Sequence, residues 1–233
     1  MRNIWSIHQF ALTNKFRLSK EEYPISRGSP ALTAARKEEI IAACAELYET
    51  MSFKEITIKE IAAATTFTRT SIYNYFETKE EIFLALLQKE YELWDEAMDA
   101  VMVQKESMTR DELAQTLART LTQRPRLLRL LSMNHFDMEA NSRPERLAEF
   151  KITFGSSLNH VNRMLEKYIP EMDDHARQQF LYAFFPFIYG IYPYTSVTEK
   201  QKLAMEQAGI SYVYQSAYDL TYACLRKLLD VKP

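Results

Sequence analysis

Apolar residues recur at intervals of three and four along most of the chain, which is the spacing of one face of an α-helix. The first such stretch follows Thr33, which can cap a helix, and it includes Ile40 and Cys44. Capping boxes, in which a threonine is followed three residues later by a glutamate, begin at Thr57 and Thr78. Helices are therefore predicted after each of these three threonines.

Two short helices fit between the capping boxes. The pattern predicts one over about residues 58–64 and a second that Thr68 caps and that runs to about Tyr75. The whole chain is predicted to be all-α, with about nine helices. We divide it into an N-terminal arm (1–32), expected to be flexible, a three-helix domain with a helix-turn-helix (33–80) and a larger helical domain (81–233).

Composition favours helices over sheets and argues against enzymatic sites. The chain has 4 glycines among 233 residues, about a quarter of average usage, so folds that rely on glycine turns or glycine-rich phosphate loops lose support. Its 14 tyrosines, 13 phenylalanines and 10 methionines suit packed helical interiors. Neither a serine-hydrolase elbow, a paired-cysteine motif, a zinc-protease motif nor a P-loop occurs, so no enzyme and no cofactor is indicated.

The uncharged stretch at residues 178–198 is the candidate for a membrane span. Its apolar centre, residues 180–194, would reach roughly 22 Å as a helix against an apolar layer of about 30 Å, so a buried helix is expected instead. Cys44 and Cys224 lie in apolar helical contexts without cysteine or histidine at metal-binding spacing. A cytoplasmic protein with reduced cysteines is expected.

The second short helix carries polar side chains that apolar packing does not use. Ile58, Ile61 and Ile72 supply the inward faces of the two short helices. The outward polar row consists of Thr68, Arg69, Thr70, Ser71, Tyr73, Asn74 and Tyr75. This is where a helix-turn-helix presents donors to base edges and phosphates, and Lys59 and Lys79 flank it. The formal net charge of −2 argues neither for nor against nucleic acid as a partner.

Residues 36–86 resemble the N-terminal domain of the TetR family of transcriptional repressors. The matching residues are Arg36, the apolar set around 40–45, the segments 57–62, 71–76 and 78–82, and above all Tyr73, Tyr75 and Phe76 followed by Lys79. The resemblance implies that double-stranded DNA with a palindromic operator is the partner. It implies that Thr57 caps its helix against a phosphate and that Arg69, Thr70 and Ser71 approach bases.

The same resemblance implies that Tyr73 and Tyr75 pack on the sugar-phosphate backbone and that Lys79 contacts a phosphate. From the polar pattern we add Lys59, Thr68 and Asn74 to this candidate DNA-binding set.

Three glycines that members of the family usually carry are absent. Thr66 stands in the turn, Thr70 stands within the second short helix, and residues 51–53 replace the glycine after the first helix. A β-branched residue at a left-handed turn position costs about 1 kcal/mol, so Thr66 is expected either to adopt an unusual φ or to alter the turn. The arm (1–32) is longer than the family usually has and basic, and it either reaches a minor groove or forms a disordered extension.

In the larger domain the resemblance is architectural only. The aromatic and methionine side chains that could enclose a bulky, largely apolar or aromatic ligand are Trp94, Met98, Met133, Phe136, Phe154, Met164, Phe180, Phe184 and Tyr189. Ordinary core packing is the alternative explanation for each of them. The run at residues 135–139 alternates possible metal ligands, but no second cluster completes a site, so no metal is expected.

The last helix is expected over about residues 210–229 and is apolar on two faces. One stripe would pack on its own domain, and a second would pack on the same helix of another subunit. The second stripe consists of Tyr218, Tyr222, Leu225 and Leu229. A homodimer follows, with the two-fold symmetry that a palindromic operator requires.

The sequence therefore predicts a sequence-specific DNA-binding transcriptional regulator, a repressor that a small effector releases from its operator. The alternative is a TetR-like helical adaptor that binds a protein partner. That alternative stays open because residues 57–79 hold only three cations against two acids and the turn has lost its glycine.

Overall fold

The computed structural model describes residues 29–231. In that range the chain forms eleven α-helices and one π-helical segment and contains no β-strand, which confirms the all-α prediction. The α-helices are α1 (Pro30–Thr50), α2 (Ile58–Ala63), α3 (Arg69–Ile72), α4 (Lys79–Gln104), α5 (Arg110–Thr122), α6 (Pro125–Leu131), α7 (Pro144–Tyr168), α8 (Asp174–Gly190), α9 (Tyr192–Thr195), α10 (Glu199–Gln207) and α11 (Ala217–Leu228). The π-helical segment, Asn134–Glu139, lies between α6 and α7.

The helix count exceeds the predicted nine, and three short elements begin without a side-chain cap. Neither α6, α9 nor the π-helical segment has a side-chain cap hydrogen bond at its start. Sequence reasoning based on capping residues therefore had nothing to detect there.

The first helix begins earlier than predicted. Ser29 is its cap, with the hydroxyl accepting a hydrogen bond from the Leu32 amide at 3.3 Å, and Pro30 occupies the first helical position. Thr33 already lies inside α1, where its amide donates to the Ser29 carbonyl. Most of the predicted arm, residues 1–28, lies outside the described residues.

Thr57, Thr68 and Thr78 cap α2, α3 and α4 as predicted. The second short helix is shorter than expected, because α3 ends at Ile72. The amides of Asn74 and Tyr75 bond to carbonyls three residues back, which tightens the chain into turns.

The three N-terminal helices share one apolar centre. Ile40 and Cys44 of α1, Ile61 of α2 and Ile72 of α3 are completely buried there. Phe76, just beyond α3, is 1% exposed and completes the centre. The two short helices are therefore held as a unit against α1.

The long helix α4 is part of both halves of the protein. Near its start, the Phe83 ring meets the rings of Tyr48 and Phe53 edge-on, at centroid distances of 5.1 and 4.8 Å. Further along, Trp94 and Met98 are completely buried in the C-terminal half. The domain boundary proposed after residue 80 thus falls within the first turn of one continuous helix.

In the C-terminal half, α4 packs most extensively on α7, and α11 packs on α5. The buried Trp94 indole donates to the Thr120 hydroxyl at 3.1 Å, so its polar atom is satisfied. The Phe185 ring lies 6.1 Å from Trp94 and 5.5 Å from Phe154, which makes the interior continuous between α4, α7 and α8.

The prediction that the last helix starts near residue 210 was wrong. Gly209 adopts a φ of +69° just after α10, and residues 210–216 are not helical and are exposed. Helix α11 begins only where the Ser216 hydroxyl accepts from the Asp219 amide at 3.1 Å.

The buried carboxylate of Glu81, in the first turn of α4, joins the two halves. The Glu81 side chain is fully buried and accepts hydrogen bonds from Nε and Nη2 of Arg143, at 2.6 and 2.8 Å. It also accepts from the backbone amides of Arg143 and Glu77. Arg143 precedes α7 and pairs with the Glu77 carboxylate as well, at 3.0 Å.

Two further bonds connect the same places. Arg146 of α7 donates to the Tyr75 carbonyl at 3.2 Å, and the Thr78 hydroxyl donates to the Asn141 carbonyl at 3.2 Å. We call the contacts among residues 75–81 and 141–146 the seam. The segment that leaves α3 is therefore attached to the start of α7 as well as to α4.

Glu81 makes the stability of the fold sensitive to acid. Burial by itself would raise the pKa of Glu81, but the hydrogen bonds from Arg143 and from the Glu77 and Arg143 amides outweigh it and lower the pKa below 4.5. The stabilisation is therefore present above the ordinary pKa of a glutamate and is lost as the pH falls through the lowered value. We expect Glu81→Gln to cost about 2 kcal/mol of unfolding free energy at pH 7.

Urea denaturation of the wild-type protein and Glu81→Gln from pH 7 to pH 3 measures this effect. The two stabilities should converge as the pH falls below 4.5. The exposed Glu145→Gln, in the first turn of α7, serves as the control. A constant difference between wild type and Glu81→Gln across that range would contradict the prediction.

Candidate functional site

The turn between α2 and α3 is built without a left-handed residue at Thr66. Asp230 is the residue other than glycine with a positive φ in the described chain, so the turn is altered and Thr66 is not forced into that region. The amide and hydroxyl of Thr66 both donate to Glu39 of α1, at 2.9 and 2.8 Å. These bonds lower the pKa of Glu39, the amide bond contributing most.

The predicted polar row lies mostly on the surface, as its residue types require. Lys59 at the start of α2 is exposed, as are Thr68, Arg69, Thr70 and Asn74 around α3. Ser71 is half-buried because its amide and hydroxyl both face the capping hydroxyl of Thr68. The exposed groups combine one guanidinium, hydroxyls and an amide on the outer side of a helix, which can bond to both base edges and phosphates.

Arg69 is held along α3 rather than extended into solvent. Its Nη2 donates to the hydroxyl of Tyr73 at 3.3 Å, and the guanidinium carbon lies 5.9 Å from the centre of that ring. Tyr73 remains 42% exposed. The pair therefore presents a cation and a phenol together on the surface.

Tyr75 does not lie where the family resemblance implied. It is 8% exposed, and its hydroxyl accepts a hydrogen bond from Nη1 of Arg36 at 3.0 Å. Its ring faces Phe67 in the turn, at a centroid distance of 6.3 Å. Tyr75 thus connects α1 to the end of α3 and is not available to pack on a DNA backbone.

Lys79 is also engaged within the chain. Its ammonium donates to the carbonyls of Phe53 and Ile56, at 2.7 and 3.1 Å, and lies 4.2 Å from the centre of the Phe53 ring. Its position fixes the loop between α1 and α2 against the start of α4. A phosphate contact by Lys79 would require these bonds to break.

Thr57 caps α2 on the exposed surface. Its hydroxyl accepts from the Lys59 amide at 3.2 Å and donates to the Glu60 carboxylate, which lowers the pKa of Glu60. A phosphate at this position would have to approach beside a carboxylate, so the neighbouring Lys59 is the better phosphate donor of the two.

The residues predicted to line a ligand pocket are largely found in the C-terminal interior. Trp94, Met98, Met164, Phe180 and Phe184 are all buried. Phe154 and Tyr189 are half-buried, and the Tyr91 hydroxyl donates to that of Tyr189 at 3.3 Å. These side chains pack together in one apolar core.

Two of the predicted pocket residues lie elsewhere. Phe136 is 89% exposed, because it belongs to the π-helical segment, where the helical spacing used for prediction does not apply. Met133 is half-buried beside α1, where its sulfur accepts from the Tyr48 hydroxyl at 3.7 Å.

The stripe predicted for a dimer interface is used within the chain. Leu225 and Leu229 are completely buried. Tyr222 donates to the Asp111 carboxylate of α5 at 2.7 Å, and Tyr218 stacks on it at 5.7 Å. This face of α11 therefore packs on α5, and these leucines are not available to a second subunit.

Sequence reasoning missed the residues that position this site. Arg36, Glu39, Arg143 and Arg146 hold α3 and its flanking turns through bonds to residues distant in the sequence. A local pattern gives no signal for such pairs. Of these four, Arg36 belongs to the family resemblance, but its pairing with Tyr75 has no local signal.

Among residues 29–231, none of the helices combines the length and apolar character needed to cross a membrane. Comparison with known families gives two matches. Residues 40–86 match the family described as "Bacterial regulatory proteins, tetR family". Residues 88–222, more than half of the chain, match "Tetracyclin repressor-like, C-terminal domain". No curated protein matches the sequence.

Several solved structures share the fold. A TetR/AcrR-family transcriptional regulator from Thermobifida fusca has 19% identity and a TM-score of 0.58, covering 85% of this chain and 99% of that one. The TetR-family repressor FadR of Thermus thermophilus, in complex with lauroyl-CoA, has 21% identity and a TM-score of 0.55, with coverages of 83% and 93%.

The fatty acid degradation regulator FadR of Bacillus halodurans has 15% identity and a TM-score of 0.55, covering 88% of this chain and 97% of that one. These three likenesses concern the fold. Together with the family matches in both halves, the helix-turn-helix held against α1 and the long α4 that continues into a helical C-terminal half show that this chain belongs to the TetR family of transcriptional regulators.

Proposed function

We propose that the protein is a homodimeric, sequence-specific DNA-binding repressor that leaves a palindromic operator when a largely apolar ligand binds its C-terminal half. The observation that carries the proposal is the exposed polar row on α3, because α3 is held rigidly by buried apolar residues while its outer side chains are free to contact DNA. A helix presented in this way fits the major groove.

Within this row, Arg69 is the residue best suited to read a base. A guanidinium can bond to two acceptors of guanine at once, whereas the hydroxyls of Thr68, Thr70 and Ser71 can bond to either bases or phosphates. Lys59 is a separate, exposed ammonium at the start of α2 and suits a phosphate.

The first prediction separates base contacts from phosphate contacts. Arg69→Ala should cost about 1–3 kcal/mol on the operator and relax sequence preference, because it removes a bidentate contact. Arg69→Lys should lose nearly as much binding free energy, since lysine keeps the positive charge but cannot make the bidentate contact of a guanidinium. Lys59→Ala should weaken operator and random DNA equally and reduce the salt slope by about one.

The measurement is fluorescence anisotropy with an operator selected from genomic fragments and with random DNA, across a salt series. Equal losses on both DNAs for Arg69→Ala would assign Arg69 to the phosphate group. Absence of salt-dependent DNA binding by the wild type would favour the adaptor alternative.

The proposed dimer uses α8 instead of the predicted stripe of α11. The exposed side of α8 carries Tyr182, which is 65% exposed, and then Ala183, Pro186 and Gly190. Residues 178–198 contain no charged side chain. An uncharged face of aromatic and small residues on one helix can pack against its own two-fold copy.

Charge placed on this face should break the dimer. Ala183→Glu would bury an unpaired carboxylate at or near the two-fold axis, so we expect monomers at micromolar concentration. Val103→Glu is the control, since Val103 is 87% exposed near the end of α4. Light scattering after size exclusion gives the mass, and an unchanged dimer for Ala183→Glu would place the interface elsewhere.

We propose that ligand binding releases the protein from DNA by shifting α4 relative to α7. Trp94 of α4 and Phe154 of α7 belong to the same aromatic interior, so a ligand that inserts between them moves one helix relative to the other. Glu81 of α4 and Arg143, immediately before α7, belong to the seam that holds the segment leaving α3. A shift between α4 and α7 therefore changes the angle of α3.

Reciprocal binding tests this coupling. A ligand that raises the melting temperature should bind the operator complex roughly 5- to 150-fold more weakly than the free protein. Arg143→Ala should bring that factor towards one because it breaks the seam. Arg119→Ala is the control: Arg119 is exposed on α5 and bonds to Gln115 of the same helix, away from the seam and from the contacts between α4 and α7.

For each variant, one calorimetric titration of the ligand with operator and one without give the ratio of the two ligand affinities. Identical ligand affinities in the wild type with and without DNA would end the idea of an allosteric effector.

A further inference from the structure

A cleft of about 450 Å³ opens where α1, α4, α6 and α9 meet. Its volume is within the range of small-molecule sites. Tyr48 and Tyr192 line it, together with three arginines, Arg124, Arg126 and Arg129, and two glutamates. The cleft is separate from the aromatic interior considered above.

Both glutamates of the cleft are bound to the same arginine. Arg126 donates from Nε to Glu49 at 2.9 Å and from Nη1 to Glu90 at 3.1 Å. Glu90 has a side-chain exposure of 7% and Arg126 of 33%, so this trio forms one wall. Arg126 offsets one of these two carboxylate charges, and with Arg124 and Arg129 the cleft holds three guanidiniums against two carboxylates.

Within residues 29–231, the hydrogen-bond partners of the Arg129 guanidinium are carbonyl oxygens. It donates to the carbonyls of Tyr48 and Met51 at the end of α1, at 2.5 and 3.0 Å, and its guanidinium lies 3.8 Å from the centre of the Tyr48 ring. These two bonds use two of its five N–H groups. The remaining donors and the full positive charge have no carboxylate partner among the described residues.

Arg124 is the least constrained of the three arginines. It is half-buried immediately before α6, its side chain makes no capping bond, and it has no carboxylate within 4.0 Å in residues 29–231. Two arginines without acidic partners therefore face one cleft, beside the hydroxyl-bearing residues Tyr192 and Ser196.

We propose that this cleft is an anion-binding site that takes a carboxylate or phosphate group through Arg124 and Arg129. The planar fork of a guanidinium matches both groups in geometry as well as charge. A cationic ligand is disfavoured because the three guanidiniums of the cleft outnumber its two glutamates, both of which are bound to Arg126. A purely apolar ligand would remove solvent from two guanidinium charges that have no carboxylate partner within residues 29–231.

The site lies between the two halves of the protein. Arg129 holds the last carbonyls of α1, whereas Glu39, which fixes the turn before α3, lies about 15 Å further back along the same helix. An anion bound there bonds to α6 and, through Arg129, stiffens the end of α1. That regulatory consequence rests on the proposed function, whereas anion binding itself does not.

Inorganic phosphate is the probe, titrated without DNA by calorimetry and thermal unfolding against sodium chloride of equal ionic strength. We expect saturable binding to the wild type and a dissociation constant at least tenfold higher for Arg124→Gln, which removes no side-chain hydrogen bond or ion pair within residues 29–231. Arg119→Gln, at an exposed position on α5 outside the cleft, should bind as the wild type does. The same titrations are repeated with dodecyl phosphate, which carries a phosphate group on an apolar chain.

Tighter binding of dodecyl phosphate than of phosphate, lost in Arg124→Gln, supports the site and identifies an amphiphile head group as its occupant. Equal binding of the two supports a free anion. The proposal is overturned if phosphate has no effect beyond chloride, or if Arg124→Gln and Arg119→Gln respond alike. Because no DNA is present, the result is independent of operator binding, which is measured separately without phosphate.

Discussion

Helix α4 belongs to two apolar cores at once, and the rest of the structure depends on this constraint. Phe83 packs against the rings of Tyr48 in α1 and of Phe53 in the loop that follows it. Trp94 is buried in the C-terminal interior. Eleven residues of helix, or roughly 17 Å, separate them. Since a helix transmits displacement along its axis without absorbing it, the DNA-binding half cannot reorient unless one of these two packings changes.

Polar contacts between α4 and α7 then define how those helices are placed. Besides Glu81 and Arg143 at the seam, His160 of α7 lies between Asp95 and Asp99 of α4, at 3.2 and 3.1 Å. Burial raises the pKa of Asp95. Apolar contacts tolerate sliding, but these directional bonds select one register of α4 on α7. The coupling we propose therefore depends on a helix pair with a defined resting position.

Local features were predictable from the sequence because their causes are local. A threonine hydroxyl caps an amide two or three residues ahead, so Thr57, Thr68 and Thr78 could be recognised without a structure. The outward row on α3 followed from the same short-range logic.

Partners across the fold could not be predicted. The hydroxyl of Tyr75 bonds to Arg36, 39 residues earlier in the chain. The ammonium of Lys79 bonds to carbonyls more than 20 residues away. The two apolar stripes of the last helix are equivalent by periodicity, and its packing against α5 and α8 decides that Leu225 and Leu229 turn inward. Phe136 was misplaced because its backbone follows another period.

The absence of glycine from the turn has a consequence in the unfolded chain. A glycine would be freer there than Thr66, so the loss of entropy on folding would be larger by about 0.4–1 kcal/mol. Thr66 avoids a positive φ and gains two bonds from its contact with Glu39, so it does not carry the strain that a left-handed position would impose. The departure from the family pattern thus favours a turn that is already formed before DNA arrives, with less ordering left for the binding event.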